Sequence, residues 1–189
     1  MLSGAGFKQV FTMTGGIDVW NGLRASGAPD AGMAVFSDAD TAEDLLALAW
    51  VLEEGSRKFY AGVSRSLKDD GAVKLFQQLT AAEEKHKESL VRLYGEISGS
   101  PLPVFSELEG SEGLMEGGIP VGAGLSWAKN KGAREILQFS MAMETNAYDL
   151  YLKMIPRMTD EKSARVFKTL AEEEKGHLDK LGKLLEQRV

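Results

Sequence analysis

Apolar residues recur every three to four positions through most of this chain, and the places where the rhythm breaks divide it into elements. After Asp40, the residues Leu45, Leu48, Ala49, Leu52, Ser56, Phe59, Tyr60 and Val63 fall on one helical face. Asp40-x-x-Glu43 offers a capping-box-like start, so a first helix is expected from about 40 to near Lys68. The Asp69-Asp70-Gly71 turn follows. A second helix is then expected from about Ala72 to Ile97, with Leu75, Phe76, Leu79, Glu83, His86, Leu90 and Leu93 along its stripe. So short a link makes the two helices antiparallel neighbours.

The rhythm resumes near residue 133 as a copy of the first pair. Ile136, Leu137, Phe139, Met143, Leu150 and Met154 answer Leu45, Leu46, Leu48, Leu52, Phe59 and Val63. A third helix is expected over about 133 to 156, closed by Pro156 and the Thr159-Asp160 turn. A fourth then runs to near Gln187 on Val166, Phe167, Leu170, Leu181 and Leu184. Between the pairs, about 98 to 131 is rich in Gly, Ser and Pro and too long for an ordinary loop, so it must cross the bundle. Leu114, Met115, Ile119, Val121, Leu125 and Trp127 suggest that it packs, with a helical turn expected around Glu107 to Met115.

Residues 1 to about 30 have another texture: the apolar run Val10-Phe11-Thr12-Met13, then Thr14-Gly15-Gly16, then Ile17 to Ala25. That reads as strand, glycine turn, helix. The fold class expected is therefore all-α, two antiparallel hairpins related by duplication and joined by a long crossover, with a short N-terminal βα extension.

Composition narrows the chemistry. The 189 residues contain no cysteine, which excludes disulfides, thiolate metal sites and cysteine nucleophiles. The net charge of −6 comes without a basic block, so a nucleic-acid partner is not expected. No apolar run approaches the ~18 residues of a membrane span and no signal-peptide pattern opens the chain, so a cytoplasmic protein is expected.

The duplication carries its own chemistry. Glu53 and Glu144, Glu83 and Glu174, His86 and His177, and Tyr60 and Tyr151 are each 91 apart (144−53, 174−83, 177−86, 151−60). These are the only two histidines, and each stands three residues after a glutamate. Positions three apart share a helix face, so Glu83 with His86, and Glu174 with His177, can each grip a cation. Glu53 and Glu144 stand on apolar stripes and should point inward. Four ionised carboxylates in an apolar core cost several kcal/mol at least and repel one another. Two divalent cations offset them, and iron and manganese accept oxygen and imidazole donors. Glu84, Glu172 and Glu173 adjoin the motifs, but one helical step turns ~100° away, so they are expected to be surface charges. Met141, Met143 and Met154 are expected to pack rather than bind metal.

With these residues in view, 40 to 189 resembles a ferritin-like di-metal carboxylate four-helix bundle, closest to the rubrerythrin group. The resemblance implies two iron ions, with manganese or a mixed pair as variants, held by Glu53, Glu83, His86, Glu144, Glu174 and His177. It implies catalytic parts for Glu53 and Glu144, and for Tyr60 and Tyr151, whose phenols would hydrogen-bond to metal-bound carboxylates. The expected activity is reduction of hydrogen peroxide, or dioxygen, by electrons from a separate donor such as a rubredoxin or ferredoxin. A homodimer is also implied.

Two departures stand out: no four-cysteine rubredoxin domain is present, and the additional glutamate of many rubrerythrins, three residues from the third-helix ligand, is replaced by Ala147 on one side and Met141 on the other. The more symmetric site also fits a ferroxidase or iron-handling role. A third reading is a structural dimerisation module. The string Gly6-Phe7-x-x-Val10, then Met13-x-Gly15-Gly16-Ile17-x-x-Trp20, resembles the C-terminal end of a rhodanese domain. Without the cysteine loop and the preceding strands, sulfur transfer is not implied.

Overall fold

The computed structural model describes residues 41–101 and 113–187. The rhodanese-like segment 1–30 and Asp40 lie outside these residues.

Helix α1 spans Ala42–Ser66 and α2 spans Asp70–Ser98. Helix α1 begins close to the start expected at about 40. Thr41 Oγ1 accepts from the Asp44 amide at 3.1 Å, and the Asp44 carboxylate accepts from the Thr41 amide at 3.2 Å, a reciprocal capping box; the expected Asp40/Glu43 box involves Asp40, outside the described residues. Asp69 caps α2 by accepting from the Ala72 amide at 2.8 Å. Gly99 ends it with φ 66°, a left-handed conformation that glycine adopts without penalty. Only Leu67, Lys68 and Asp69 separate the two helices, which pack along each other as a hairpin.

The second hairpin is α4, Ala133–Met154, and α5, Glu161–Glu186. A 3₁₀ turn, Ile155–Arg157, takes up Pro156 where the α-helical hydrogen bonds end. Asp160 then caps α5 through the Ser163 amide at 2.8 Å. Helices α2 and α5 meet across the bundle.

The crossover folds differently from expectation. The described part of the Glu107–Met115 stretch is not a helical turn. Leu114–Met115 is strand β1, paired antiparallel with β2, Ile119–Pro120, and 107–112 lie outside the described residues. Gly117 and Gly118, with φ of 82° and 71°, turn the hairpin where side chains would be strained. A short helix α3, Val121–Ala128, follows, which the sequence pattern did not predict.

The apolar core is split in two. One cluster gathers Leu46, Leu52, Leu90, Leu93, Leu150, Tyr151, Phe167 and Leu170. The other gathers Phe59, Tyr60, Phe76, Leu79, Leu137, Phe139, Met143 and Leu181. On each long helix the switch from one cluster to the other occurs at a buried glutamate: Glu53 on α1, Glu83 on α2, Glu144 on α4 and Glu174 on α5. A polar layer thus crosses the middle of the bundle.

Candidate metal centre

The four layer glutamates are each fully buried, and His86 and His177 are 2% and 3% exposed. Their atoms converge in two sets: Glu53, Glu83, His86 and Glu174, and Glu83, Glu144, Glu174 and His177. Within each set, one ligand atom per residue lies within 4.8 Å of the others. Glu83 and Glu174 belong to both. The geometry therefore assigns shared positions to the two glutamates of the Glu-x-x-His motifs and outer positions to Glu53 and Glu144.

Both imidazoles turn Nδ1 inward. His86 Nδ1 lies 3.0 Å from Glu53 Oε2, 3.0 Å from Glu83 Oε2 and 3.1 Å from Glu174 Oε1. His177 Nδ1 lies 3.2 Å from Glu144 Oε2 and 3.0 Å from Glu174 Oε2. One N–H cannot satisfy three carboxylates. Both oxygens of Glu83 and Oε1 of Glu174 accordingly have no hydrogen-bonding partner. Buried, unpaired carboxylate oxygens crowded around two imidazole nitrogens are costly alone and become a favourable donor set around cations. The residues fit a pair of divalent ions.

Each tyrosine serves the opposite hairpin. Tyr60 on α1 donates to Glu144 Oε1 on α4 at 2.6 Å, and Tyr151 on α4 donates to Glu53 Oε1 on α1. Side chains on a helix lean toward its N-terminus, so each phenol, about two turns past the glutamate of its own helix, leans back to the glutamate layer. Burial and the adjacent glutamate charges raise both phenols well above their usual range, which keeps them protonated donors.

The carboxyls do not share one environment. Burial pushes Glu53 up, but the His86 charge and hydrogen bonds from His86 and Tyr151 outweigh it and hold Glu53 at about 2. Glu144 is raised to about 8 by burial and by the charge and hydrogen bond of Glu174, which His177 only partly offsets. Burial and the charge of Glu53 raise Glu83 well above the usual carboxyl range. Burial works against a charged His86, but the charge of Glu53 and the carboxylates of Glu173, Glu174 and Glu53 around the ring outweigh it and raise His86. A metal-free centre thus holds itself together with protons, which cations would displace.

Two features escaped the sequence reading, the partner of Glu173 and the burial of Glu116. Glu173 is exposed, as expected of a surface charge, but its Oε2 also lies 2.9 Å from His86 Nε2. With Nε2–H donated there, the His86 Nδ1 lone pair is left for the centre. The side chain is half exposed, and its carboxylate curls across the α2–α5 seam, which the one-helix turning angle could not reveal. Glu84 does behave as expected, half exposed and paired with Lys87 at 3.1 Å. Glu116, in the crossover hairpin, is 1% exposed and lies outside every periodic helical stripe. Nothing in the spacing pointed to it.

The histidine side of the layer opens to solvent. The two imidazoles stack with centroids 5.4 Å apart, and they line a depression of ≈ 490 Å³ with Ala82, Lys85, Glu173 and Lys180.

The family model Rubrerythrin matches residues 44–185, well over half of the sequence. The chain belongs to the rubrerythrin family. A solved structure of a hypothetical protein from Pyrococcus furiosus is similar at TM-score 0.60 and 22% identity, over 80% of this chain and 93% of that one, which supports the all-α ferritin-like bundle. No curated protein sequence matches. Rubrerythrin membership implies a metal centre of the non-haem di-iron class, and the buried Glu/His layer is a place that can hold one. No helix among the described residues is long and apolar enough to cross a membrane.

Proposed function

We propose that this rubrerythrin-family chain is a non-haem di-iron oxidoreductase that reduces hydrogen peroxide, or dioxygen, with electrons from a separate donor protein. The observation that carries the reading is the convergence of four buried glutamates and two imidazole Nδ1 atoms into two sets that share Glu83 and Glu174. Bound there, two iron ions would supply the two electrons that, with two protons, convert one peroxide to two waters.

The chain's own residues set the conditions for that chemistry. Glu53 and His86 would hold one ion and Glu144 and His177 the other, with Glu83 and Glu174 available to both. Tyr60 and Tyr151 pin one oxygen of each outer glutamate and leave the other free to bind. The depression beside the stacked imidazoles is the route for a small oxidant, with Lys85 and Lys180 at its rim. The apolar clusters on either side exclude bulk water.

Stopped-flow mixing of the iron-loaded, reduced protein with peroxide tests the reading. Oxidation far faster than in oxygen-free buffer supports it, and equal rates overturn it. The symmetric ligand set, with Ala147 and Met141 where another glutamate would stand, favours ferroxidase or iron handling as the second reading. Retention separates the two: a catalytic pair survives dialysis, whereas a transported pair exchanges. We also propose a homodimer, which sedimentation would reveal.

A further inference from the structure

Glu116 is a buried carboxyl that the six-residue centre does not use. It lies between β1 and β2 at the hairpin tip. Its Oε2 accepts from Ser56 Oγ at 2.9 Å, and its Oε1 has no hydrogen-bonding partner. A staple between the hairpin and α1 would need one such bond, and a hydroxyl could make it. A carboxyl with one oxygen idle in the interior costs free energy and calls for another partner.

The backbone is arranged to bring it there. A Cβ on Gly55 would lie 2.0 Å from the Leu114 carbonyl oxygen, so only glycine lets β1 lie this close on α1. Ser56 is the next residue, and it stands about one turn beyond Glu53. Burial and the charges of Glu53, Glu174 and Glu144 all bear on Glu116. The charge of Glu116 bears in turn on Tyr60 and Tyr151. Three layer glutamates and both tyrosines therefore lie within its electrostatic reach, on an element that belongs to neither hairpin.

We propose that Glu116 is a fifth carboxylate of the metal centre, brought in by the crossover hairpin and anchored by Ser56, with Oε1 available to the metal pair. This rests on the di-metal reading given above. Glu116 stands outside the two converged sets, so it is recruited when cations are present rather than part of the metal-free cluster. The reason is local: a cation would give Oε1 the partner that the protein does not supply, and its positive charge would offset that of a buried carboxylate.

The test is anaerobic titration of the full chain with Co(II), together with melting temperatures with and without Co(II), for wild type and Glu116→Gln. The amide keeps an oxygen for Ser56 and removes the charge. The proposal expects two ions per wild-type chain. In Glu116→Gln it expects about 10- to 100-fold weaker binding at one of the two positions. The variant's metal-free melting temperature should be unchanged or raised, and its gain on adding metal reduced. Unchanged affinity with an unchanged thermal gain overturns it. An equal fall in melting temperature with and without metal also overturns it, since that marks a mere buttress. A wild type that binds no Co(II) removes the di-metal reading itself and this proposal with it. Should Glu116→Gln not fold, Ser56→Ala carries the test: weaker binding at one position supports the proposal, and wild-type binding overturns it.

Discussion

The Glu53–His86 half of the centre and the Glu144–His177 half descend from one repeated pattern, yet their surroundings differ. His86 has Glu173 behind its Nε2 at 2.9 Å, whereas the residue 91 positions before Glu173 (173−91) is Ala82, whose methyl can offer His177 nothing comparable. Ser56 holds Glu116, whereas the residue 91 positions after it (56+91) is the buried Ala147. The outer carboxyls differ too: against burial, the His86 charge and hydrogen bonds hold Glu53 at about 2, whereas burial and the charge of Glu174 raise Glu144 to about 8. The repeat thus keeps the six side chains that could hold cations and differs in the residues around them. On the proposed di-metal reading, two like sets of ligands would make two unlike metal positions.

Four experiments break or sharpen that comparison. Glu174→Ala should have the largest effect, because it removes a carboxylate common to both halves: Co(II) binding should fall more than about 100-fold at both positions, whereas Glu53→Ala should spare one. Loss of a single position in Glu174→Ala would show that the sharing is not functional.

The next effect is on pH dependence without metal. Glu144 and Glu83 are raised above their unfolded values, so their contribution to stability is complete below about pH 4.5 and fades as pH rises, for Glu144 through about 8. His86, also raised, acts in the same direction above its ordinary value of 6.5. Glu53, lowered to about 2, contributes above 4.5 and fails only as pH falls toward 2. The melting temperature of metal-free protein should therefore decline from pH 5 to 8, and saturating Co(II) should remove the decline. A metal-free curve that rises over this window would mean the glutamates are not crowded as described.

A smaller change is expected in Glu173→Gln, with about 10- to 100-fold weaker binding at the His86 position and little at the other. Ala82→Glu should narrow the gap between the two positions. Equal weakening of both would erase the asymmetry. Smallest are Tyr60→Phe and Tyr151→Phe, each of which should lower metal-free stability on the order of 1 kcal/mol in denaturant titrations. If only one of them costs stability, the tyrosine exchange between hairpins is not symmetric.

Much of this was legible along the chain because helices write their buried faces at regular spacing. The Asp69-Asp70-Gly71 and Thr159-Asp160 turns marked where one helix gives way to the next, and the 91-residue interval paired the candidate ligands before any contact was known. The crossover was not legible in the same way. Two-residue strands carry no periodicity, and β1 was mistaken for part of a helical turn. Its own helix places Glu173 on the surface, as expected; its contact was not legible, because only the neighbouring helix brings His86 Nε2 within its reach.

What the sequence determined by itself was the pair of hairpins, the duplication and the six residues able to hold two cations, since all of these depend on spacing within single helices. What only the tertiary structure decided was which glutamates belong to both sets, that each tyrosine reaches the opposite hairpin, that Glu173 meets His86, and that Glu116 is buried against Ser56. Those contacts join residues far apart in the chain, and the distance between two helices is set by packing rather than by any local pattern.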